Sequence, residues 1–266
     1  VKTGACPIGV FDSGVGGVSV LREIRRALPA EDLIYLADSE YTPYGDRPAP
    51  LIIERSLSMV ALLERAGVKA VVIACNTATG IAVDTLRARF TLPIIAIEPA
   101  VKPAAAQTRS GVVGVLATTQ TLASSRFSKL VETHAAGVRV LTQPSPGLVE
   151  RVESGELASA ETRAVVEQYV RPLLDQGADT IVLGCTHYPF LGGVIQDVAG
   201  PGVAIIDPAV AVARELRRRL ENGGLLAPGN RVGTERFWAT GPVAQVRTVM
   251  AQLWGKEVDV DRVSAA

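Results

Sequence analysis

Ala70-Val71-Val72-Ile73-Ala74-Cys75-Asn76-Thr77 and Thr180-Ile181-Val182-Leu183-Gly184-Cys185-Thr186-His187 read as two copies of one segment. In each, a glycine (Gly67, Gly177) stands eight residues before the cysteine, and a short apolar run leads directly up to it. An apolar run of this length, closed by Thr, Asn or His, predicts a buried parallel strand that empties into a loop. Open parallel sheets bind ligands in the crevice at the carboxyl ends of their strands. Two thiols at matching strand ends of two facing halves suggest one ligand held between two sulfurs. That is the layout of a two-base proton-transfer site.

The repeat is wider than the cysteines. Ile8-Gly9-Val10-Phe11-Asp12-Ser13 matches Val113-Gly114-Val115-Leu116-Ala117-Thr118, and Ile94-Ile95-Ala96-Ile97-Glu98-Pro99 matches Val203-Ala204-Ile205-Ile206-Asp207-Pro208. The three pairs fall in the same order, with steps of 105 (Ile8 to Val113), 110 (Ala70 to Thr180) and 109 residues (Ile94 to Val203). Apolar runs alternate with longer amphipathic segments throughout, the pattern of parallel sheets with crossover helices. The expected architecture is α/β: two pseudo-symmetric α/β domains with mainly parallel sheets and the active site in the cleft between them. The first half takes 1–102 plus a C-terminal return over 211–266, and the second takes 103–210. A short strand near 236–240 and a last helix close the chain.

Bulk properties narrow the function. The 27 basic and 27 acidic residues balance, so no global field points to nucleic acid or an anionic membrane. No apolar stretch approaches the length of a membrane span, and no secretory signal is visible at the N-terminus. The chain starts at Val1 rather than methionine, as a missing or trimmed start would leave it. Three cysteines without framework spacing fit a reducing cytoplasm.

The strand-end residues carry the chemistry. Asp12-Ser13-Gly14-Val15-Gly16-Gly17 lies between a strand and a helix, yet it lacks the dinucleotide glycine spacing and the lysine of a triphosphate loop. Asp12 would also repel a phosphate. A glycine turn accounts for the glycines but leaves Asp12-Ser13 at the strand end unexplained. Cys75 is followed by Asn76 and Thr77, both N-cap types, so its thiol is expected near a helix N-terminus that favours thiolate. Buried cysteine is commonly a small hydrophobe, and Cys6, flanked in the sequence by Ala5 and Pro7, takes that reading. His187, two residues from Cys185, suits chemistry better than His134. Zinc is not expected, since no C-x-x-C pair exists. None of the five lysines (Lys2, Lys69, Lys102, Lys129, Lys256) stands at a cleft strand end to anchor pyridoxal phosphate. Thr118, Thr119 and Thr121 occupy the second-half position matching Asp12-Ser13, and the loop Pro43-Tyr44-Gly45 follows another strand end.

At Phe11-Asp12-Ser13-Gly14-Val15-Gly16-Gly17, Pro43-Tyr44-Gly45, Cys75-Asn76-Thr77 and Gly184-Cys185-Thr186-His187-Tyr188-Pro189 the sequence resembles the glutamate racemases of the aspartate/glutamate racemase superfamily. The resemblance covers nearly the whole chain. It implies a cofactor-free enzyme, with no metal, that makes D-glutamate for bacterial peptidoglycan in the cytoplasm. It also implies that Cys75 serves the D-enantiomer and Cys185 the L-enantiomer, with Asp12 and His187 as helpers. Ser13, Tyr44, Gly45, Asn76, Thr77 and Thr186 match substrate contacts, joined by Thr118 or Thr121 and by Glu153 in preference to Glu150. Glutamate is then the small-molecule partner, and a homodimer stays open. Two rivals remain: a racemase or isomerase of another small acid (aspartate, a hydantoin), and a two-lobed amino-acid-binding protein without catalysis.

Overall fold

Two parallel sheets, rather than one, organise the computed structural model, which describes residues 3–264. Val1, Lys2 and the last two residues of the C-terminal return lie outside the described residues. The chain opens with β1 (Ile8–Asp12), α1 (Val18–Ala27), β2 (Leu33–Ala37), α2 (Ala49–Arg65), β3 (Ala70–Ile73), α3 (Asn76–Arg89) and β4 (Ile94–Ala96). It continues with α4 (Val101–Gln107), β5 (Val112–Ala117), α5 (Thr119–Ala123), α6 (Ser125–His134) and β6 (Arg139–Pro144). Then come α7 (Leu148–Glu153), α8 (Ala160–Asp175), β7 (Thr180–Gly184), α9 (Gly192–Ala199) and β8 (Ala204–Ile206). The return consists of α10 (Ala209–Asn222), β9 (Glu235–Ala239), α11 (Val243–Trp254) and β10 (Val260–Arg262).

The sheet orders are β10-β9-β2-β1-β3-β4 and β6-β5-β7-β8. Without the return strands the first sheet reads 2-1-3-4, and the second repeats that order. The internal repeat holds down to the ladder. Ile8 pairs with Ala70 and Val113 with Thr180, the positions related by steps of 105 and 110. The third pair slips. Val71 faces Ile94, whereas its counterpart Ile181 faces Ile205, two residues beyond the position the sequence repeat suggests. A two-residue slip preserves which face each side chain occupies, so an apolar pattern alone does not reveal it.

β1, β2, β3 and β7 are buried at every residue, as a strand covered by helices on both faces must be. α1 packs on α10 and α8 on α9. One buried apolar cluster runs through residues of both sheets, from Ile8 and Tyr35 to Ile181 and Tyr188, so the halves share a core. Strand β10 escapes sequence reading because it is a three-residue, half-exposed edge pairing only with β9.

In a 2-1-3 order the chain leaves β1 in opposite directions to reach its two neighbours. A crevice therefore opens between β1 and β3 in the first sheet, and between β5 and β7 in the second. Asp12-Ser13 and Cys75 flank the first crevice. Thr118 and Cys185 flank the second.

Candidate active site

The two crevices face each other. Cys75 and Cys185 line one narrow cavity with Ser13, Pro43, Tyr44, Gly45, Asn76, Thr77, Thr118, Val149, Thr186 and His187. Asp12, Glu153 and Thr121 stand directly behind this lining. Every site residue expected from the sequence is thus in or against one cavity. Pro43, marked in the sequence as part of the Pro43-Tyr44-Gly45 loop, and Val149, an apolar residue of α7 with no polar signal to single it out, complete the lining.

Cys75 is the N-cap of α3, and its sulfur accepts from the Ala78 amide at 3.4 Å. The cap is the thiol itself, not Asn76 or Thr77. The Ser13 hydroxyl lies 3.5 Å from the same sulfur. The expectation of a thiolate-favouring site is reversed here. Burial and the Asp12 charge push the Cys75 thiol up to about 12, and the contacts from Ser13 and Ala78 only partly offset this. Partial charge at a helix end is a weaker influence than complete removal from water.

The other thiol has a different setting. His187 Nδ1 lies 3.6 Å from Cys185 Sγ, and Nε2 lies 2.6 Å from Glu153 Oε1, which also accepts from the Val15 amide at 2.9 Å. Burial disfavours the charged ring, but hydrogen bonds and charge from Cys185 and Glu153 outweigh it and hold His187 well above its ordinary value. His187 thus stands between the Glu153 carboxylate and the Cys185 sulfur. Glu150, by contrast, is exposed, so Glu153 is the acid of α7 that reaches the site.

The glycine loop exists to admit these groups. A Cβ on Gly14 would fall 1.9 Å from Glu153 Oε1, and one on Gly16 would fall 2.3 Å from His187 Nδ1. The loop of the first half is the surface on which the helpers of the second half rest. Asp12 also works across the halves. Its Oδ1 accepts from the Gly14 amide at 2.8 Å and its Oδ2 from the Thr186 hydroxyl at 3.0 Å. Its influence on Cys75 is through charge.

Complete burial raises the Asp12 pKa, against the pull of His187 and of its hydrogen bonds. A raised folded-state pKa contributes stability below the unfolded value and loses it as pH rises through the folded one. The ionised Asp12 therefore costs stability at neutral pH. Asp12→Asn is expected to melt higher than the parent at pH 7, with the advantage fading toward pH 4, while kcat falls roughly tenfold or more. Thermal melts across that range, beside steady-state kinetics, check both halves of the expectation. A lower melting temperature at pH 7 would count against it.

Polar groups near the cavity are partly unsatisfied. Both amide atoms of Asn76 and the hydroxyl of Thr42 are buried without a partner, which natural interiors rarely tolerate. Thr77, Thr118 and Thr121 form a hydroxyl triangle with sides of 2.9, 2.9 and 3.3 Å. The rim is bridged by Gln120, whose side-chain amide donates to the Arg47 carbonyl at 3.1 Å, and Arg126 pairs with Asp84 and Glu98 farther along.

Comparison with known proteins places this geometry. Residues 8–216 match the family described as Asp/Glu/Hydantoin racemase. A glutamate racemase from Methylococcus capsulatus is 54% identical over 248 residues, covering 93% of this chain and 92% of that protein. Among solved structures, a glutamate racemase isoform from Bacillus anthracis superposes with a TM-score of 0.88 at 34% identity, covering 97% of each chain. A glutamate racemase from Francisella tularensis, solved in complex with D-glutamate, gives 0.86 at 28% identity over 98% of each chain. With paired thiols at the crevices of two matching sheets, and relatives of this closeness along its whole length, the chain belongs to the Asp/Glu/Hydantoin racemase family and sits among its glutamate racemases.

Proposed function

We infer that the protein interconverts L- and D-glutamate by a two-base proton transfer in which Cys75 and Cys185 face opposite sides of the α-carbon. The observation that carries this reading is the unequal setting of two thiols in one cavity. Inversion removes a proton from one face and returns one to the other, so one sulfur must start as base while the other holds a proton. Cys75, whose burial and Asp12 neighbour favour the thiol, is the acid of this resting arrangement. Cys185, with His187 Nδ1 3.6 Å from its sulfur, is the partner thiol on the other side. From L-glutamate, Cys185 takes the α-proton and Cys75 delivers its own to the other face. From D-glutamate the roles reverse.

The α-proton beside a carboxylate is weakly acidic, so the developing carbanion needs aimed donors in a site without water. The first amides of α3 have no acceptor within the helix, and the Asn76 side chain lacks a partner. Both suit the substrate carboxylates, as do the hydroxyls of Ser13, Thr118 and Thr186. Tyr44 and Gly45 close the first-half wall. Thr77 and Thr121 set the orientation of Thr118, and Glu153 holds His187. The division into 1–102 plus 211–266 and 103–210 is supported by β9 and β10 joining the first sheet and by α4 packing on β7 and α6. We assign the enzyme to the cytoplasm, as the source of D-glutamate for peptidoglycan. No helix among the described residues is long and apolar enough to cross a membrane.

A direct test needs no added cofactor. After dialysis against a chelator, the protein is expected to abolish the circular dichroism of an L-glutamate solution, leaving equal enantiomers. An undiminished signal, or loss of signal only with pyridoxal phosphate or a divalent ion, would overturn the reading. Turnover confined to aspartate or a hydantoin would select the rival substrate. Tight glutamate binding without turnover would select the binding protein.

A further inference from the structure

We propose that Asp38 is a positioning residue for the racemisation, holding the Tyr44-Gly45 wall of the cavity through the Tyr44 hydroxyl, with Arg55 as the counter-charge that keeps it buried. The inference rests on the glutamate racemase reading above.

Asp38 follows β2 at the same carboxyl edge that carries Asp12, and its amide donates to the Asp12 carbonyl at 3.0 Å. It is fully buried. Oδ2 accepts from the Tyr44 hydroxyl at 2.5 Å and Arg55 Nε at 3.0 Å, and Oδ1 from Arg55 Nη2 and the Thr240 hydroxyl, both at 2.8 Å. A carboxylate has about four lone-pair directions, and all are filled. Asp38 is thus not a ligand for substrate. Its donors come from the turn at Tyr44–Asp46, from α2 and from the loop after β9, so one carboxylate ties three separate segments to the edge of the site.

Stability alone does not explain this arrangement, since apolar side chains of similar volume commonly replace a buried ion pair at no loss. Its geometric effect is specific. Tyr44 is buried in an edge-type contact with Phe11, the ring centroids 6.4 Å apart, and its hydroxyl is committed to Asp38, where burial and the Asp38 charge raise its pKa. The ring and the Gly45 backbone are what the turn presents to the cavity. Gly45 passes so near Thr118 that a Cβ there would lie 3.0 Å from the Thr118 side chain. A shift of the turn would therefore reshape the space between Cys75 and Thr118.

Tyr44→Phe keeps the ring and removes the donor. It is expected to raise KM for both enantiomers roughly tenfold, the scale of one hydrogen bond to a charged group, with kcat within about threefold. Asp38→Asn should also raise KM, and that increment should largely vanish in the Tyr44→Phe background, because the two act as one unit. A purely structural Asp38 would lower the melting temperature and leave KM unchanged in both backgrounds. Should Asp38→Asn fail to fold, Tyr44→Phe decides alone. An inactive parent protein would strike the glutamate racemase reading. An active parent, with KM of Tyr44→Phe within twofold of it, overturns the role of Asp38.

Discussion

Replacing either Cys75 or Cys185 by serine is expected to lower racemisation of glutamate by at least roughly 10²–10⁴-fold, the worth of a general acid or base in such a step. A serine hydroxyl is far too weak an acid to sit as an alkoxide near neutral pH. The two losses should be similar, because each sulfur is the base for one enantiomer and the acid for the other. An isotope experiment distinguishes this scheme from a single base that swings across the cavity. Run from L-glutamate in deuterated water, early D-glutamate should carry deuterium at the α-carbon while recovered L-glutamate keeps its hydrogen. Protium retained in the product, or washed from both enantiomers together, would remove the two-base scheme. So would substantial racemisation by either serine variant.

Gly16→Ala is expected to lower kcat by about a hundredfold, the scale of an ångström of displacement at a reacting group. The added methyl would sit 2.3 Å from His187 Nδ1 and 2.5 Å from Cε1. The ring cannot retreat, because it is buried and Nε2 is held by Glu153 at 2.6 Å. The Nδ1 contact to Cys185 is what yields. Both enantiomers have the same free energy in water, so kcat/KM must fall equally in the two directions. The individual kcat values should fall unequally, more from L-glutamate, for which Cys185 is the base. Gly193→Ala is the control, since a Cβ there meets nothing within 4 Å. If Gly16→Ala keeps kcat within about threefold of the parent, the loop is not what positions His187.

Much of this was legible in the chain. The β1–β3 and β5–β7 pairings follow the repeat because buried parallel strands are nearly continuous apolar runs, and their strand-end polar residues stand out against them. Glu153 was separable from Glu150 only through resemblance, for both lie on α7 and their spacing alone favours neither. What sequence reading reversed was the charge preference at Cys75. A capping position can be read from Asn76-Thr77, but the desolvation that dominates it comes from tertiary packing around the sulfur, by residues such as Phe11 and Tyr44 that are distant in the chain. The role of Asp38 was not legible, because Arg55 and Thr240, which complete it, lie 17 and 202 residues away and are unremarkable in type.

The cavity between the thiols is narrow and its rim is bridged, by Gln120 to Arg47 and by Thr118 to Thr77. Were glutamate to bind only after the halves part, the apparent affinity of that first encounter would be the open form's affinity multiplied by the fraction of molecules that are open. With about one molecule in a hundred open, apparent binding would be about a hundredfold weaker than the open form's own. That penalty is blind to handedness, since it is incurred before either enantiomer makes contact. The rim would then set how often inversion is attempted and have no say in which hand is made.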